Sequence, residues 1–570
     1  MKPNWVITPK ASDAFFRSLP DISSLAAQAL WNRNIRNSAQ AQQFLRPDPA
    51  RDFHDPFLFG EMPKAVDRIF KALESGEKIA IWGDYDCDGI CGTAVLYTLF
   101  SDMGYAHALN VHIPDRNLDG YGVSMPHLKE LHSEGITLVI TVDCGITSRT
   151  EIAWAQGNGM DVIVADHHSV PEILPPAHAI LNPKDPKSGY PFYGLAGTGV
   201  AYKLATAILS HNKKKGYGSP DTEFLDLVAL ATLADSMPLR DENRVIVSEG
   251  FAQLAKKPRP GLRELFSFCG LTENFTVRDM HFSIIPRLNA MGRMEHASTS
   301  FRLLTTDNPD EAAMLIRHMD VENRRRQLAV EVIANYVRDR LAIAPSDAPA
   351  VFEVIPYGAV GRVPGILGLA ANTIMQEIKR PVVLAITDEK GERATGNARA
   401  LGTFDIIKAL RSRSELFIDV GGHPHAGGFT AEAKNLDMIR ELVLKTAQAV
   451  KDAGGFSQED AVAIDAELSL DDVTPKTYRD LQQLWPFGEE NPEPRFLFRQ
   501  APIERLRAVG NANKHLKLRL GGVDAIAFGF GDKAGELHVG DRLNTVASLS
   551  ENTWNGKKSI ELNIIDLVKS

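Results

Sequence analysis

Lys78-Ile79-Ala80-Ile81-Trp82-Gly83-Asp84-Tyr85-Asp86-Cys87-Asp88-Gly89-Ile90-Cys91-Gly92 is the stretch from which the fold can be read. A short apolar run over 78–82 ends in three carboxylates that alternate with other residues. Gly89 and Gly92 follow, and a helical pattern is expected over 94–103. A buried strand, a turn and a helix in succession open an α/β unit. Asp86 and Asp88 are two residues apart, so in an extended turn both can aim the same way. The glycines let the backbone pass close to a ligand.

The same pattern recurs downstream. Residues 109–113, 138–142 and 162–165 read as buried strands, and 125–133 and 149–157 as the helices between them. This alternation implies a mostly parallel sheet, in which ligands bind beyond the carboxyl ends of the strands. Asp84, Asp143 and Asp166 all fall at such ends. Mn²⁺ and Mg²⁺ prefer carboxylate oxygens, and Mn²⁺ also accepts imidazole. Asp166-His167-His168 offers nitrogens beside a carboxylate, and Asp235 in Leu233-Ala234-Asp235-Ser236 offers a further oxygen. So many carboxylates together repel one another at a large cost. Two divalent ions would relieve that repulsion and activate a water between them. The expectation is a two-metal phosphoesterase centre.

Helices are expected at 198–211 and 223–235, and a long helix from about Asn308 to Leu341. Asn308 can cap it, Pro309 suits its first turn, and Asp310 and Glu311 suit its dipole. It reads as a connector between two lobes, ending at the Pro-rich stretch 344–349. A second α/β pattern follows, with strands at 351–355 and 382–386, helices at 367–378 and 406–417, and a glycine-rich loop at 421–428. Beyond about 455, strands are expected at 495–498, 515–520, 525–529, 542–548 and 559–565, with a hairpin signal at Asn555-Gly556. Five such strands suit a small barrel of the OB type. The expected organisation is an N-terminal segment over 1–60, a catalytic domain over 61–250, a helical connector over 251–345, a substrate-binding domain over 346–455 and a nucleic-acid-binding domain over 456–570.

With 44% hydrophobic and 24% charged residues, the chain has the balance of a cored, water-soluble protein rather than a disordered one. No apolar run reaches the length of a membrane span, and the first residues lack the apolar core of a signal peptide. A cytoplasmic location and no membrane partner are therefore expected. Four cysteines are too few for a disulfide framework, and their spacing does not suit a thiolate zinc site. The net charge of −9 argues only weakly against nucleic acid, because an acidic metal centre and a basic groove can coexist in one molecule. Basic clusters stand at Lys213-Lys214-Lys215, Lys256-Lys257 and Arg324-Arg325-Arg326, and each reads first as a solvated face. In the barrel segment Phe496, Phe498, Phe528, Phe530 and Trp554 accompany Lys514, Lys517, Arg519, Lys557 and Lys558. Aromatics beside lysines hold single strands on OB-folds, although the same rings could equally fill a barrel.

Asp84-Tyr85-Asp86-Cys87-Asp88-Gly89, Val142-Asp143-Cys144-Gly145, Asp166-His167-His168 and Leu233-Ala234-Asp235 resemble the four motifs of the DHH phosphoesterase superfamily. The segments 286–293 (Pro-Arg-Leu-Asn-Ala-Met-Gly-Arg), 396–399 (Gly-Asn-Ala-Arg), 421–423 (Gly-Gly-His) and 485–494 narrow the resemblance to its RecJ branch, from about residue 40 onward. The resemblance implies a 5′→3′ exonuclease that degrades single-stranded DNA to mononucleotides with Mn²⁺ or Mg²⁺. By motif, Asp86 and Asp143 would hold one ion. Asp88, Asp143, His167 and Asp235 would hold the other, with Asp143 bridging and Asp84 a further ligand. His168 would meet the scissile phosphate, and Asp166 would orient the histidines. Arg116, Arg287, Asn289, Arg293, Asn397, Arg399, Gly422 and His423 would bind substrate, the arginines by bidentate grip on phosphate oxygens. Implied partners are single-stranded-DNA-binding protein and a RecQ-type helicase, around a monomeric enzyme.

Two departures from the family pattern lie in the substrate lobe. The stretch 361–368 carries no Trp-His, and Asn397 stands where the family has Ser. Both bear on recognition of the terminal phosphate. Two alternatives stand beside the nuclease: a phosphodiesterase for short oligonucleotides or cyclic dinucleotides, and a non-catalytic scaffold that binds single strands.

Overall fold

The structure is a computed structural model that describes residues 4–116, 119–211, 222–256, 258–271, 275–343, 347–358, 364–456, 461–554 and 557–570. The chain forms two compact units. One comprises His54–Met237 and Glu249–Glu459, the other Met1–Phe53, Pro238–Ser248 and Asp460–Ser570. No helix among the described residues is long and apolar enough to cross a membrane.

The larger unit is built first on a five-stranded parallel sheet. Its order is Leu109–His112, Lys78–Trp82, Ile136–Val142, Asp161–Ala165 and Ala179–Leu181. Ile79–Trp82 and Leu138–Val142 are buried on both faces, as continuous apolar runs in a covered parallel sheet should be. Burying each Ile, Leu or Val side chain contributes about 1.5–3 kcal/mol. The helices Met125–Ser133 and Arg149–Gly157 form over their expected residues. The helix after the acidic turn is Cys87–Asp102, beginning at Cys87 rather than at residue 94. Asp86 is its N-cap and accepts the N–H groups of Asp88 and Gly89, so Asp88 lies in the first helical turn and not in an extended one. The short strand Ala179–Leu181 was not expected from the sequence.

Chain order reverses between the neighbouring strands Lys78–Trp82 and Ile136–Val142. Their crossover helices leave on opposite faces, which opens a crevice at the carboxyl ends of these two strands. Asp84, Asp86 and Asp88 follow the first of them and Asp143 the second.

A second five-stranded sheet in the same unit runs Asp419–His423, Ala426–Glu432, Arg393–Arg399, Val382–Thr387 and Val351–Ile355. It is antiparallel except for its last pair. The loop expected over 421–428 is instead a hairpin, with Gly421 paired to Gly428 and His423 to Ala426. The helix expected over 406–417 stops at Arg411, and a 3₁₀ turn covers Ser414–Leu416. The long helix spans Pro309–Ile343. Its Ile333, Ala334 and Val337 pack into the core formed by Leu367, Ala370, Ile374, Val382 and Leu384 of the second sheet and its helix.

In the smaller unit, the strands Phe496–Val509, His515–Leu520, Val523–Ala527, Lys557–Lys569 and Arg542–Trp554 pair in that order, and the last pairs back to the first. The result is a closed five-stranded barrel, which leaves no long free edge. Phe496 and Phe498 are 0% and 1% exposed and fill its interior, so they are unavailable for stacking on a strand. Lys517 pairs with Glu561, Arg519 with Asp524 and Lys558 with Glu551, so these expected DNA-binding cations are engaged by carboxylates. Phe528 is 44% exposed beside His515. The hairpin signal Asn555-Gly556 and the basic run 213–215 lie outside the described residues. Helical residues Phe15, Ala27 and Leu30 complete the core of this unit with Leu481, Leu484 and the barrel interior.

Candidate metal centre

Each acidic group reaches the crevice by a different local device. Asp84 follows the strand after Gly83 alone and is 3% exposed. Asp88 uses both carboxylate oxygens to accept the backbone N–H groups of Gly197 and Thr198, each at 2.7 Å, at the start of the helix Gly197–His211. A helix N-terminus favours negative charge there. The turn is held by the helix Ile285–Met294. Asn289 Oδ1 accepts the Cys87 N–H at 2.7 Å. Gly292 packs so closely that a Cβ on it would stand 2.2 Å from the Tyr85 carbonyl oxygen.

Asp143 adopts a left-handed backbone conformation (φ 61°) while its N–H donates to the Ala165 carbonyl. Asp166 is fully buried. Its Oδ1 accepts the N–H of His167 at 2.7 Å, the N–H of His168 at 3.0 Å and Nδ1 of His168 at 2.9 Å. Its Oδ2 accepts the Ile146 N–H at 3.0 Å. Asp235 caps the C-terminal end of the helix Leu225–Ala234, with its side chain 38% exposed at the mouth.

These segments converge on His167. Its Nε2 lies 3.3 Å from Asp143 Oδ1, 3.4 Å from Asp235 Oδ2 and 3.7 Å from Asp88 Oδ2. Ligand atoms of Asp88, His167 and Asp235 lie within 4.8 Å of one another, as do those of Asp84, Asp86 and Asp143, and those of Asp143, His167 and His168. Asp84 Oδ1 and Asp143 Oδ1 are buried and accept no hydrogen bond. Buried carboxylate oxygens left without donors, beside an imidazole nitrogen, form a donor set that fits hard divalent cations.

The electrostatics of the protein alone agree. Burial, then the charge of Asp86, pushes Asp84 well above the carboxylate range. Burial, then the charges of Asp88, Asp86 and Asp84, does the same to Asp143. Withdrawal from water and the charges of Asp88 and Asp86 push Asp235 up to about 8. Burial lowers His167 to about 4, which leaves it neutral and able to donate a lone pair to a metal. Burial opposes protonation of His168 too, but the hydrogen bond and charge of Asp166 hold it above the usual imidazole value.

The expected substrate residues surround this cluster unevenly. Arg116 lies over the Tyr85 ring at 4.8 Å. Arg293 donates to the Gly365 carbonyl at 3.0 Å, and burial, then Arg116, lowers it to about 10. Asn397 and Arg399 share the strand Arg393–Arg399 and both border Gly368. The His423 ring stacks on that of His168, with centroids 6.4 Å apart and planes 12° from parallel. Gly422 has φ 131°, and a Cβ there would meet the Ala426 carbonyl oxygen at 2.3 Å, so the bend before His423 requires glycine. Arg287 stands apart from these in its bonding: it donates to Asp320 and to the Ser283 carbonyl. Of the departing stretch 361–368, residues 361–363 lie outside the described residues.

Three residues were missed by sequence reasoning. Tyr121 donates its hydroxyl hydrogen to the Asp143 carbonyl at 3.1 Å and lies 3.0 Å from His168 Nδ1. Its place between Gly120 and Gly122 was the available signal. Asn182 donates to the His168 carbonyl and accepts the Lys184 N–H. Both Asn182 and Lys184 follow the strand Ala179–Leu181, so the strand-end rule would have found them had that strand been recognised.

The sequence matches the DHH family N-terminal domain over residues 78–232, the DHHA1 domain over 354–449 and the RecJ OB domain over 464–566. It is 33% identical over 558 residues to the single-stranded-DNA-specific exonuclease RecJ of Bacillus subtilis, covering 96% of this chain and 68% of that protein. The chain belongs to the RecJ family. The RecJ exonuclease of Thermus thermophilus is likewise 33% identical, over 96% of this chain and 76% of its own. A crystal structure of the Thermus RecJ in complex with Mn²⁺ superposes with a TM-score of 0.83 at 31% identity, covering 99% of this chain and 79% of that one. A second Thermus RecJ structure was solved with Mg²⁺, and matches with a TM-score of 0.75.

Proposed function

We propose that this chain is a metal-dependent exonuclease that degrades single-stranded DNA from its 5′ end to mononucleotides. The observation that carries the reading is the convergence of Asp88, Asp143 and Asp235, from three separate segments, within 3.3–3.7 Å of one imidazole nitrogen of His167. The RecJ relatives, named as single-stranded-DNA-specific exonucleases, support the substrate.

Asp84, Asp86 and Asp143 would hold one divalent ion, and Asp88, Asp143, His167 and Asp235 the other, with Mn²⁺ and Mg²⁺ both suited to the donors. Such a pair lowers the pKa of a water and neutralises charge on the phosphate under attack. The remaining residues position and stabilise. Asp166 fixes the His168 ring and favours its proton, so that its free N–H can meet a non-bridging phosphate oxygen. Arg116, Arg293, Arg399 and His423 provide the wall that grips the terminal phosphate, with Asn397 and Gly422 shaping it. Asn289 holds the acidic turn. Arg287 acts through Asp320 on the long helix, supporting this wall rather than touching substrate. Within this reading residues 61–250 carry catalysis, 251–345 connect, 346–455 bind substrate, and the barrel segment 456–570 holds the strand, with 1–60 as its companion. A monomer in the cytoplasm, working with single-stranded-DNA-binding protein and a RecQ-type helicase, belongs to the same reading and rests on the family resemblance.

Digestion of 5′- and 3′-labelled single strands with Mn²⁺ or Mg²⁺ tests the proposal. The expected result is mononucleotide release from the 5′ label at the earliest times. Strong preference for a dinucleotide over a long strand would overturn it in favour of an oligonucleotide phosphodiesterase. Full activity of Asp143→Ala would overturn the metal assignment.

A further inference from the structure

Beyond the strand Ala179–Leu181 the chain walls a cavity of about 500 Å³, whose lining includes Lys184, Asp185, Ser188, Gly189, Tyr190 and Tyr193. None of these belongs to the metal cluster or to the arginine wall. Pockets for small ligands span roughly 300–1,000 Å³. Tyr190 is 7% exposed and stacks on Phe59 with centroids 4.0 Å apart and planes 10° from parallel, which makes one wall rigid. Tyr193 is 56% exposed and lines the cavity with a large aromatic ring.

A short path ties the cavity to the catalytic cluster. The Lys184 N–H donates to Asn182 Oδ1 at 2.8 Å, and Asn182 Nδ2 donates to the His168 carbonyl at 3.0 Å. Asn182 is fully buried, so this link is fixed. The Lys184 charge acts on His167, Asp235 and His423. The Arg116 charge acts on a different set: Asp84, Tyr85, Arg293 and Arg399.

Resting on the nuclease reading above, in which the arginine wall holds the strand's end, we infer that the Lys184–Tyr193 cavity receives the nucleoside on the other side of the scissile phosphate, on the retained strand. Its base lies against the Tyr193 ring, and Lys184 meets the adjoining phosphate. A ring takes any base by stacking, which suits an enzyme that must not discriminate between sequences. A lysine serves phosphate as a point charge without fixing its orientation, which suits a strand that advances after each cut. The same chemistry could instead take the released mononucleotide, so the test separates the two sources.

The full-length protein with Mn²⁺ is given 5′-phosphorylated oligonucleotides that are intact or abasic at the second nucleotide. The wild type is expected to show a KM roughly tenfold higher on the abasic strand, the scale of one base-aromatic stack. In Tyr193→Ala that preference should collapse to within about twofold, and Tyr193→Phe should restore it. Lys184→Gln should raise KM on both strands alike. Wild-type indifference to the abasic site, or a tenfold preference kept in Tyr193→Ala, overturns the assignment. Competitive inhibition by a deoxynucleoside monophosphate that Tyr193→Ala relieves, without abasic sensitivity, overturns it in favour of a product site. Anisotropy of the same strands bound in EDTA reads the cavity without hydrolysis. Tyr193-dependent binding with no cutting by the wild type would sink the nuclease reading but not the cavity. Cutting without any Tyr193-dependent discrimination would sink the cavity alone.

Discussion

Asn289 Oδ1 accepts the backbone N–H of Cys87 at 2.7 Å, across 202 residues of sequence. This bond fastens the acidic turn to the helix Ile285–Met294. Asn289→Ala leaves a part-buried N–H without its partner, at a cost of about 1–3 kcal/mol. The expected result is a lower melting temperature and a higher Mn²⁺ concentration for half-maximal nuclease activity. An unchanged metal requirement would show that the turn holds its shape without Asn289.

Asp166 and His168 set a pH limit. Burial works against the imidazolium, but the Asp166 hydrogen bond and charge hold His168 above its usual value. The pair contributes stability that is fully present below the unfolded imidazole value, about 6.5, and is lost as pH rises through the folded one. In Asp166→Asn the supporting charge is gone and burial remains, so His168 should lose its proton at lower pH. The alkaline limb of kcat/KM should move to lower pH. A limb that stays in place would separate His168 from the reaction.

Metal removal should destabilise the protein more at high pH. Asp84, Asp86, Asp143 and Asp235 are all raised by burial and mutual repulsion, Asp235 to about 8. Without metal, the folded state retains protons that the unfolded state releases from about pH 3.9 upward. Stability is therefore fully present below that value and is lost as pH rises through the folded values. In EDTA the melting temperature should fall between about pH 6 and about pH 8.5, and Mn²⁺ should restore more at the higher pH. Equal restoration at both would contradict the electrostatic account.

The barrel phenylalanines should divide by position. Phe498→Ala removes a ring that is 1% exposed and should cost about 3–5 kcal/mol. Phe528→Ala removes one that is 44% exposed and should change stability by no more than about 0.5 kcal/mol, while weakening single-strand binding. Thermal unfolding and anisotropy on the two variants check this, and the reverse order would refute the barrel assignment.

Much of the site was legible because its residues sit at strand ends, and buried strands announce themselves as apolar runs. Asp143 and Asp166 follow such runs directly, and Asp84 follows one after a single glycine. The helix Cys87–Asp102 reads as starting near residue 94 because its first two turns carry Asp88 and two glycines, which disguise helical periodicity until Asp86 is seen capping it. The hairpin of Asp419–His423 and Ala426–Glu432 reads in sequence as a loop over 421–428, because glycine on both strands hides the alternation. The barrel was legible as a class, but the duties of its rings and lysines were not. An inward and an outward phenylalanine have the same local sequence signature, and the carboxylates that pair with Lys517 and Lys558 come from other strands or other strand positions.

The sequence alone determined which residues could form a two-metal centre, since carboxylates and histidines after buried strands are a local pattern. It also indicated two α/β patterns followed by a small barrel, through periodicity that changes from one segment to the next. Only the tertiary structure decided which strands are neighbours, and so where the crevice opens. Only it showed that Asp88 is held by the Gly197–His211 helix, that Asn289 braces the acidic turn, and that the Lys184 backbone is tied through Asn182 to His168. These contacts join residues far apart in sequence, and their geometry is set by packing between elements, which no single segment encodes.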